Sequence, residues 1–331
     1  MVQASFPSTR LRRLRQHPLL RDLIREHTIS QDDLVLPLFI KAGNGVREPI
    51  KSMPGHYQLS IDQLDQEVAE LEQLGLKAVL LFGLPATKDM HGESSWDTQG
   101  IVQQAVRKIK SLTSQLLVIV DVCFCEYTVH GHCGVIAHRG DFFELDNDET
   151  LLNLAKQAVS LAQAGADVVA PSGMVDGMVG AIRVALDKAG FTHVPILSYA
   201  VKYASALYGP FREAANGAPQ FGDRSSYQMD IADGDRALRE AALDVQEGAD
   251  MLMVKPASLY LDIIYRVKQA YPGVPMCAYQ VSGEYAMIVF AAEHGLIDYD
   301  RAMIESLIAI KRAGADFIIT YFAKKFAQSV L

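Results

Sequence analysis

Apolar runs of strand length recur along the chain, and each is followed by a stretch with helical spacing. The runs are Leu34–Ile40, Ala78–Leu84, Leu116–Phe124, Asp167–Ala170, Val194–Val201, Asp250–Val254, Val274–Val281 and Asp316–Phe322. They are rich in Val, Ile and Leu and do not alternate with polar residues. Strands buried on both faces of a parallel sheet read this way. The intervening stretches are amphipathic. In Ile61–Leu74, Leu64, Val68 and Leu71 share one side and acids lie opposite. Helices are likewise predicted over Thr98–Leu112, Thr150–Ala164, Met174–Ala189, Asp235–Glu247, Ser258–Ala270, Glu284–Glu293 and Arg301–Ala313. A local echo supports a repeat: Gly165-Ala166-Asp167, Gly248-Ala249-Asp250 and Gly314-Ala315-Asp316 each close a helix and open a strand. Eight such units predict an α/β chain folded as a (β/α)8 TIM barrel. An open doubly wound sheet is the alternative, but no G-x-G-x-x-G opens any turn from strand to helix.

Composition narrows the function classes. The chain has 331 residues, 50% of them hydrophobic and 21% charged, which excludes a disordered or collagenous protein. With 31 Lys and Arg against 39 Asp and Glu, the net charge of −8 argues against nonspecific nucleic-acid binding. No window of ~18 uninterrupted apolar residues marks a membrane span, and no apolar core of a secretory signal opens the chain. Before Asp22 lie Arg10, Arg12, Arg13, Arg15 and Arg21. This pattern resembles either an organellar transit peptide or an arm packed on a partner subunit.

In a barrel, chemistry sits where strands end at their C-termini, and reactive side chains gather there. Lys202 follows Pro195–Val201, and Lys255 follows Asp250–Val254. A lysine in such apolar sequence is desolvated, which lowers its pKa and frees the amine as a nucleophile. Two ammonium groups ~4 Å apart at an effective dielectric of ~20 would repel by ~4 kcal/mol, about three pKa units. Such amines form Schiff bases with carbonyls. The ordinary explanation of each is a strand-end ion pair or anion binder. Cys123, Cys125 and Cys133 fall within eleven residues. Residues i and i+2 of a strand share a face, so Cys123 and Cys125 are expected to point at one ion, with Cys133 returned by the intervening loop. Three thiolates suit Zn2+ and leave a position open for water or substrate. His130 or His132 as a fourth ligand would close the site. Reduced cysteines without metal are the bland alternative, and Cys277 reads as core packing.

With these residues in hand, the chain resembles the porphobilinogen synthase (5-aminolevulinate dehydratase) family. The segments that carry the likeness are Asp121–Val135, Lys202–Arg212, Gly222–Met229, Met253–Ala257 and Tyr279–Met287, and it extends from about Arg10 to Phe322. The resemblance implies condensation of two 5-aminolevulinate molecules to porphobilinogen with loss of two waters, for haem and chlorophyll. It implies Schiff bases at Lys255, for the substrate giving the propionate side, and at Lys202, for the acetate side. Ser282 and Tyr321, with Tyr279 beside them, would hold the propionate-side carboxylate. Arg212, Arg224 and Gln228 would hold the other from a lid over residues 203–228. Asp121 and Ser172 would lie near an amino group and the lysines. All three cysteines are present, so the zinc-dependent type is implied, with Cys123, Cys125 and Cys133 as ligands. Glu240 falls where some members bind an allosteric Mg2+, although a solvated helix acid is the simpler reading. Residues 1–33 would be an N-terminal arm for subunit contacts and 34–331 the catalytic barrel, assembled as a cytoplasmic homo-octamer with no nucleic-acid or membrane partner. The segment Ala137–Asp148 looks longer than in many bacterial relatives.

Two other readings use the same residues. A lyase of the class I aldolase kind needs one Schiff-base lysine and no metal. A non-catalytic zinc barrel needs a closed four-ligand site.

Overall fold

A computed structural model describes residues 9–139 and 142–330. Eight parallel strands form the core: β1 (Leu34–Lys41), β2 (Ala78–Leu84), β3 (Leu117–Val122), β4 (Val168–Pro171), β5 (Leu197–Lys202), β6 (Met251–Lys255), β7 (Met276–Gln280) and β8 (Phe317–Thr320). They pair in the order β4-β3-β2-β1-β8-β7-β6-β5. A bridge between Val169 and Ile196, with Val169 N–H donating to Pro195 O at 3.2 Å, draws the ends of that sheet together. The eight-stranded α/β barrel expected from the sequence is what the chain forms.

The helices cover the outside of the barrel. They are α1 (Leu64–Gln73), α2 (Ile101–Leu112), α3 (Asn147–Ala164), α4 (Met178–Lys188), α5 (Arg236–Glu247), α6 (Leu261–Ala270), α7 (Ser282–Glu293), α8 (Tyr299–Ala313) and α9 (Ala323–Val330). Helix α2 shows the logic: Val102, Ala105, Val106 and Ile109 are buried at helical spacing against the barrel wall. Of the expected N-terminal arm, residues 1–8 lie outside the described residues. The remainder holds a short helix, Pro18–Leu23, with Leu11, Leu14, Leu19 and Leu23 exposed.

The Gly-Ala-Asp echo has a physical cause. Gly165, Gly248 and Gly314 end α3, α5 and α8 in the left-handed conformation, with φ of 101°, 103° and 118°. The aspartate two residues on then accepts a backbone N–H at the start of the neighbouring strand segment. Asp167 takes Val118 at 2.7 Å, Asp250 takes Ile196 at 2.7 Å and Asp316 takes Met276 at 2.6 Å. One tripeptide thus turns the chain and pins adjacent strands at the N-terminal end of the barrel.

Three features depart from the sequence pattern. A hairpin of Arg47–Pro49 and Tyr57–Leu59 pairs with β1 beyond the barrel order, and Ile136–Arg139 pairs with Phe142–Leu145 in the long segment after the cysteines. The residues over 203–228 contain a short helix, Gly209–Ala214, which is not among the helices the spacing predicts.

Candidate active site

Strands β5 and β6 end side by side at Lys202 and Lys255, which are paired in register. Both side chains are buried, each 5% exposed. Their amines hang over one aromatic floor. The Tyr199 ring centroid is 5.5 Å from Lys202 Nζ and 5.1 Å from Lys255 Nζ, and Tyr279 lies 4.1 Å from Lys255 Nζ. Simple strand alternation would put Tyr199 and Lys202 on opposite faces. A register shift opposite Leu252 and Val254 gives β5 one extra residue between Ser198 and Val201. That bulge brings ring and amine to the same side.

Lys202 donates to Ser172 O at 2.6 Å, and Ser172 Oγ donates to Asp121 Oδ2 at 3.0 Å. Burial, and then the charge of Lys202, push the Lys255 amine down to about 7. Burial, and then Glu126, push the Asp121 carboxyl up to about 7. A nucleophilic amine and a proton-carrying acid therefore both titrate near neutrality in one pocket.

The cysteines converge beside this pair. Cys123 Sγ lies 3.5 Å from Cys125 Sγ, and one sulfur from each of Cys123, Cys125 and Cys133 lies within 4.8 Å of the others. Tetrahedral zinc with Zn–S of ~2.3 Å needs sulfurs ~3.8 Å apart, so the trio fits such an ion. The expected strand geometry does not bring them together: β3 stops at Val122, and Cys123–Cys125 lie in a turn where Phe124 O accepts Tyr127 and Thr128 N–H, both at 2.9 Å. Hydrogen bonds from the Cys123 and Cys125 thiols hold the Cys133 thiol well below its ordinary value. Neither histidine joins the set. His130 Nε2 faces Met90 O at 3.1 Å, while His132 contacts Tyr227 OH at 3.2 Å and Phe221 O at 3.0 Å.

Residues over 203–228 cover the site and are stitched to the cysteine loop. Arg224 Nη2 donates to Gly131 O at 3.0 Å and Gly217 O at 2.6 Å, and Gln220 N–H donates to His130 O at 3.0 Å. Gly131 has φ +70°, and a Cβ there would sit 2.3 Å from Ala218 O, so only glycine allows the approach. Phe211 inserts beneath, 4.9 Å from the Phe82 ring and 5.3 Å from Lys255 Nζ, and its N–H donates to Ser282 Oγ at 2.9 Å.

The cavity left is about 10 Å3, bordered by Asp121, Cys125, Ser172, Lys202, Arg224 and Lys255 among others. That is room for roughly one water. Arg212, Gln228, Tyr279, Ser282 and Tyr321 do not border it. Tyr279 and Tyr321 meet through their hydroxyls at 3.1 Å. Three buried donors of the cover, Arg212 Nε, Arg224 Nε and Gln228 Nε2, have no partner. A larger cavity of about 370 Å3 opens at the other end of the barrel, but its Asp32 and Lys77 are paired at 2.6 Å and Asp316 is paired with Lys268 at 2.7 Å. Depth there does not coincide with reactive chemistry.

Residues 8–329 match the sequence profile of a family described as delta-aminolevulinic acid dehydratase. Two curated relatives bear that description: one from Halalkalibacterium halodurans, 56% identical over 96% of both chains, and one from Synechocystis, 53% identical over 98% of both. A crystal structure of the Toxoplasma gondii delta-aminolevulinic acid dehydratase, in complex with its product porphobilinogen, superposes with a TM-score of 0.93 at 41% identity, covering 97% of this chain and 91% of that one. The chain belongs to this family. It is a hydro-lyase that forms porphobilinogen, and its family is metal-dependent.

Glu240 lies elsewhere, half-buried on α5, where burial and then the charge of Asp176 raise its pKa. No helix among the described residues is long and apolar enough to cross a membrane. The sequence reading passed over three site residues. Tyr199 floors both lysines. Glu126 is 2% exposed and borders the cavity. Glu284 accepts Val281 N–H at 2.6 Å and Ala257 N–H at 3.3 Å, which ties the loops after β6 and β7 together. Only their surroundings distinguish these from ordinary core and helix residues.

Proposed function

We propose that Lys255 and Lys202 each form an imine with one 5-aminolevulinate, and that the two bound substrates are joined in the pocket between them. The observation that carries this reading is the in-register pair of buried lysines over the Tyr199 ring. Half-neutral at pH 7, the Lys255 amine attacks a ketone carbon. The carbinolamine loses water to give the imine, and Asp121, which lines the same cavity as Lys255, is placed to exchange the protons this requires. Holding both substrates on neighbouring strand ends turns a bimolecular encounter into an effectively unimolecular step.

Arg212, Arg224 and Gln228, with their unpartnered buried donors, suit the acetate-side carboxylate. Ser282, Tyr321 and Tyr279 suit the other once Phe211 releases Ser282. The 10 Å3 cavity cannot hold two substrates, so residues 203–228 act as a lid that must swing out to admit them.

Cys123, Cys125 and Cys133 would hold zinc, favoured over Mg2+ by an all-sulfur donor set. When bound there, zinc supplies Lewis-acid charge beside the lysines. Glu240, facing Asp176, is the proposed regulatory Mg2+ ligand. The exposed leucines of the arm over 1–33 suit contacts between subunits of an octamer, with 34–331 as the catalytic domain. Four buried cysteines, all free, suit a reducing cytoplasm.

Borohydride reduction in the presence of 5-aminolevulinate, followed by peptide mass spectrometry, tests the reading: adducts are expected on Lys255 and Lys202. Absence of both adducts, with pyrrole formation intact, overturns the covalent route. Pyrrole formation unaffected by complete removal of zinc overturns the metal assignment.

A further inference from the structure

The mechanism leaves one buried acid unused. Glu126 follows the ligand Cys125, is 2% exposed, and has an oxygen, Oε1, with no partner. Asp121 is in the same state: Oδ2 accepts from Ser172, while Oδ1 is unpartnered. One oxygen of each, with Cys123 Sγ, lies within a 4.8 Å group, and both acids border the cavity that holds the two lysines. Two acids this close in a dry pocket repel one another when ionised, and either a proton or a cationic donor relieves that repulsion.

None of the neighbouring cations donates a hydrogen bond to Asp121 Oδ1 or Glu126 Oε1. Lys202 donates to Ser172 O, Arg224 Nη2 to Gly131 O and Gly217 O, and Lys255 packs over Tyr279. An alkylammonium, with several N–H donors and no acceptor, matches two unpartnered carboxylate oxygens. 5-Aminolevulinate carries such a group on the carbon next to its ketone, so an imine at either lysine brings it to this wall.

Building on the proposed function, we infer that Glu126 and Asp121 together seat the amino group of a bound 5-aminolevulinate. Glu126 is thereby a residue that selects aminated over plain keto acids. It touches the substrate directly and adds a second carboxylate to the one that the family resemblance places near an amino group.

The test compares two ligands that differ only in that group. In zinc-loaded wild type and Glu126→Gln, the KM for 5-aminolevulinate and the competitive Ki for 4-oxopentanoate, which lacks the amino group, are measured in one assay. A lost charge-assisted hydrogen bond predicts that the KM rises roughly 10- to 100-fold while the Ki moves less than about twofold. Glu126→Asp, which keeps the charge, should lose less of the KM/Ki ratio and serves as the informative variant if Glu126→Gln does not fold.

Constants that shift together, or not at all, overturn the assignment. So does a Glu126→Gln protein that binds fewer metal ions per chain and recovers with added zinc, because the carboxylate would then serve the cation. The proposed function fails separately, if wild type traps no imine. Normal wild-type trapping with an unchanged ratio removes only Glu126.

Discussion

Replacing Lys202 with methionine isolates what the second lysine does to the first. Burial is the larger cause of the low Lys255 pKa and Lys202 the next. At about 7, half of Lys255 is neutral at pH 7, against roughly one part in three thousand for an ordinary lysine. The register pairing and the shared Tyr199 floor keep the two nitrogens close. For ~5–8 Å and an effective dielectric of ~20, their repulsion is roughly 2–3 kcal/mol, or about one and a half to two pKa units. Lys202→Met removes a positive neighbour, so the Lys255 pKa rises, to between ~8.5 and ~9, while burial keeps it below the ordinary value. The neutral share at pH 7 then drops to ~1–3%, and imine formation slows roughly 15- to 50-fold. Turnover is no use as a readout, since Lys202 is itself proposed to carry an imine. The assay is the rate of cyanoborohydride capture of 4-oxopentanoate on Lys255, followed by intact mass from pH 6 to 10. An apparent pKa that stays near 7 in the variant, or falls, refutes the argument that one amine tunes the other.

Three further outcomes are expected. Cys125→Ser should weaken zinc by more than about tenfold and lower activity, yet leave the barrel folded; a melting curve showing global unfolding would assign the ion a structural role. Asp250→Ala should cost roughly 1–3 kcal/mol in urea denaturation by leaving the Ile196 N–H unpaired, with kcat unchanged; unaltered stability contradicts the pinning role. Burial holds His56 down to about 4 from 6.5, so the unfolded chain binds the extra proton between those values. Native stability therefore falls as pH drops through that window, by at most about 3 kcal/mol, and His56→Asn should flatten the slope in pH-dependent denaturation; an identical slope rules His56 out.

The barrel was legible because its strands are buried on both faces, which leaves uninterrupted Val, Ile and Leu runs such as Ala78–Leu84, found with the same bounds. The lysines and cysteines stood out as reactive residues at the ends of those runs. What stayed hidden depends on tertiary detail. The hairpin strands Arg47–Pro49 and Tyr57–Leu59 are three residues each, too short for a period. The expected strand through Cys125 ends at Val122, because the backbone turns to aim the sulfurs. His130 and His132 looked like ligands by proximity in sequence, but their ring nitrogens face Met90 O, Phe221 O and the Tyr227 hydroxyl. Tyr199 was masked by a bulge that reverses strand parity, and Glu126 by the fact that a buried acid looks like any other in a string of letters.

The stitching of the cysteine loop to its cover, through Gly131, His130 and Arg224, has a cost for the enzyme. A thiol-seeking electrophile or a foreign soft ion at Cys133 would not merely occupy the proposed metal site. By distorting the loop it would also loosen the cover bonded to it, so one chemical insult would reach both the thiols and the residues packed over the lysines.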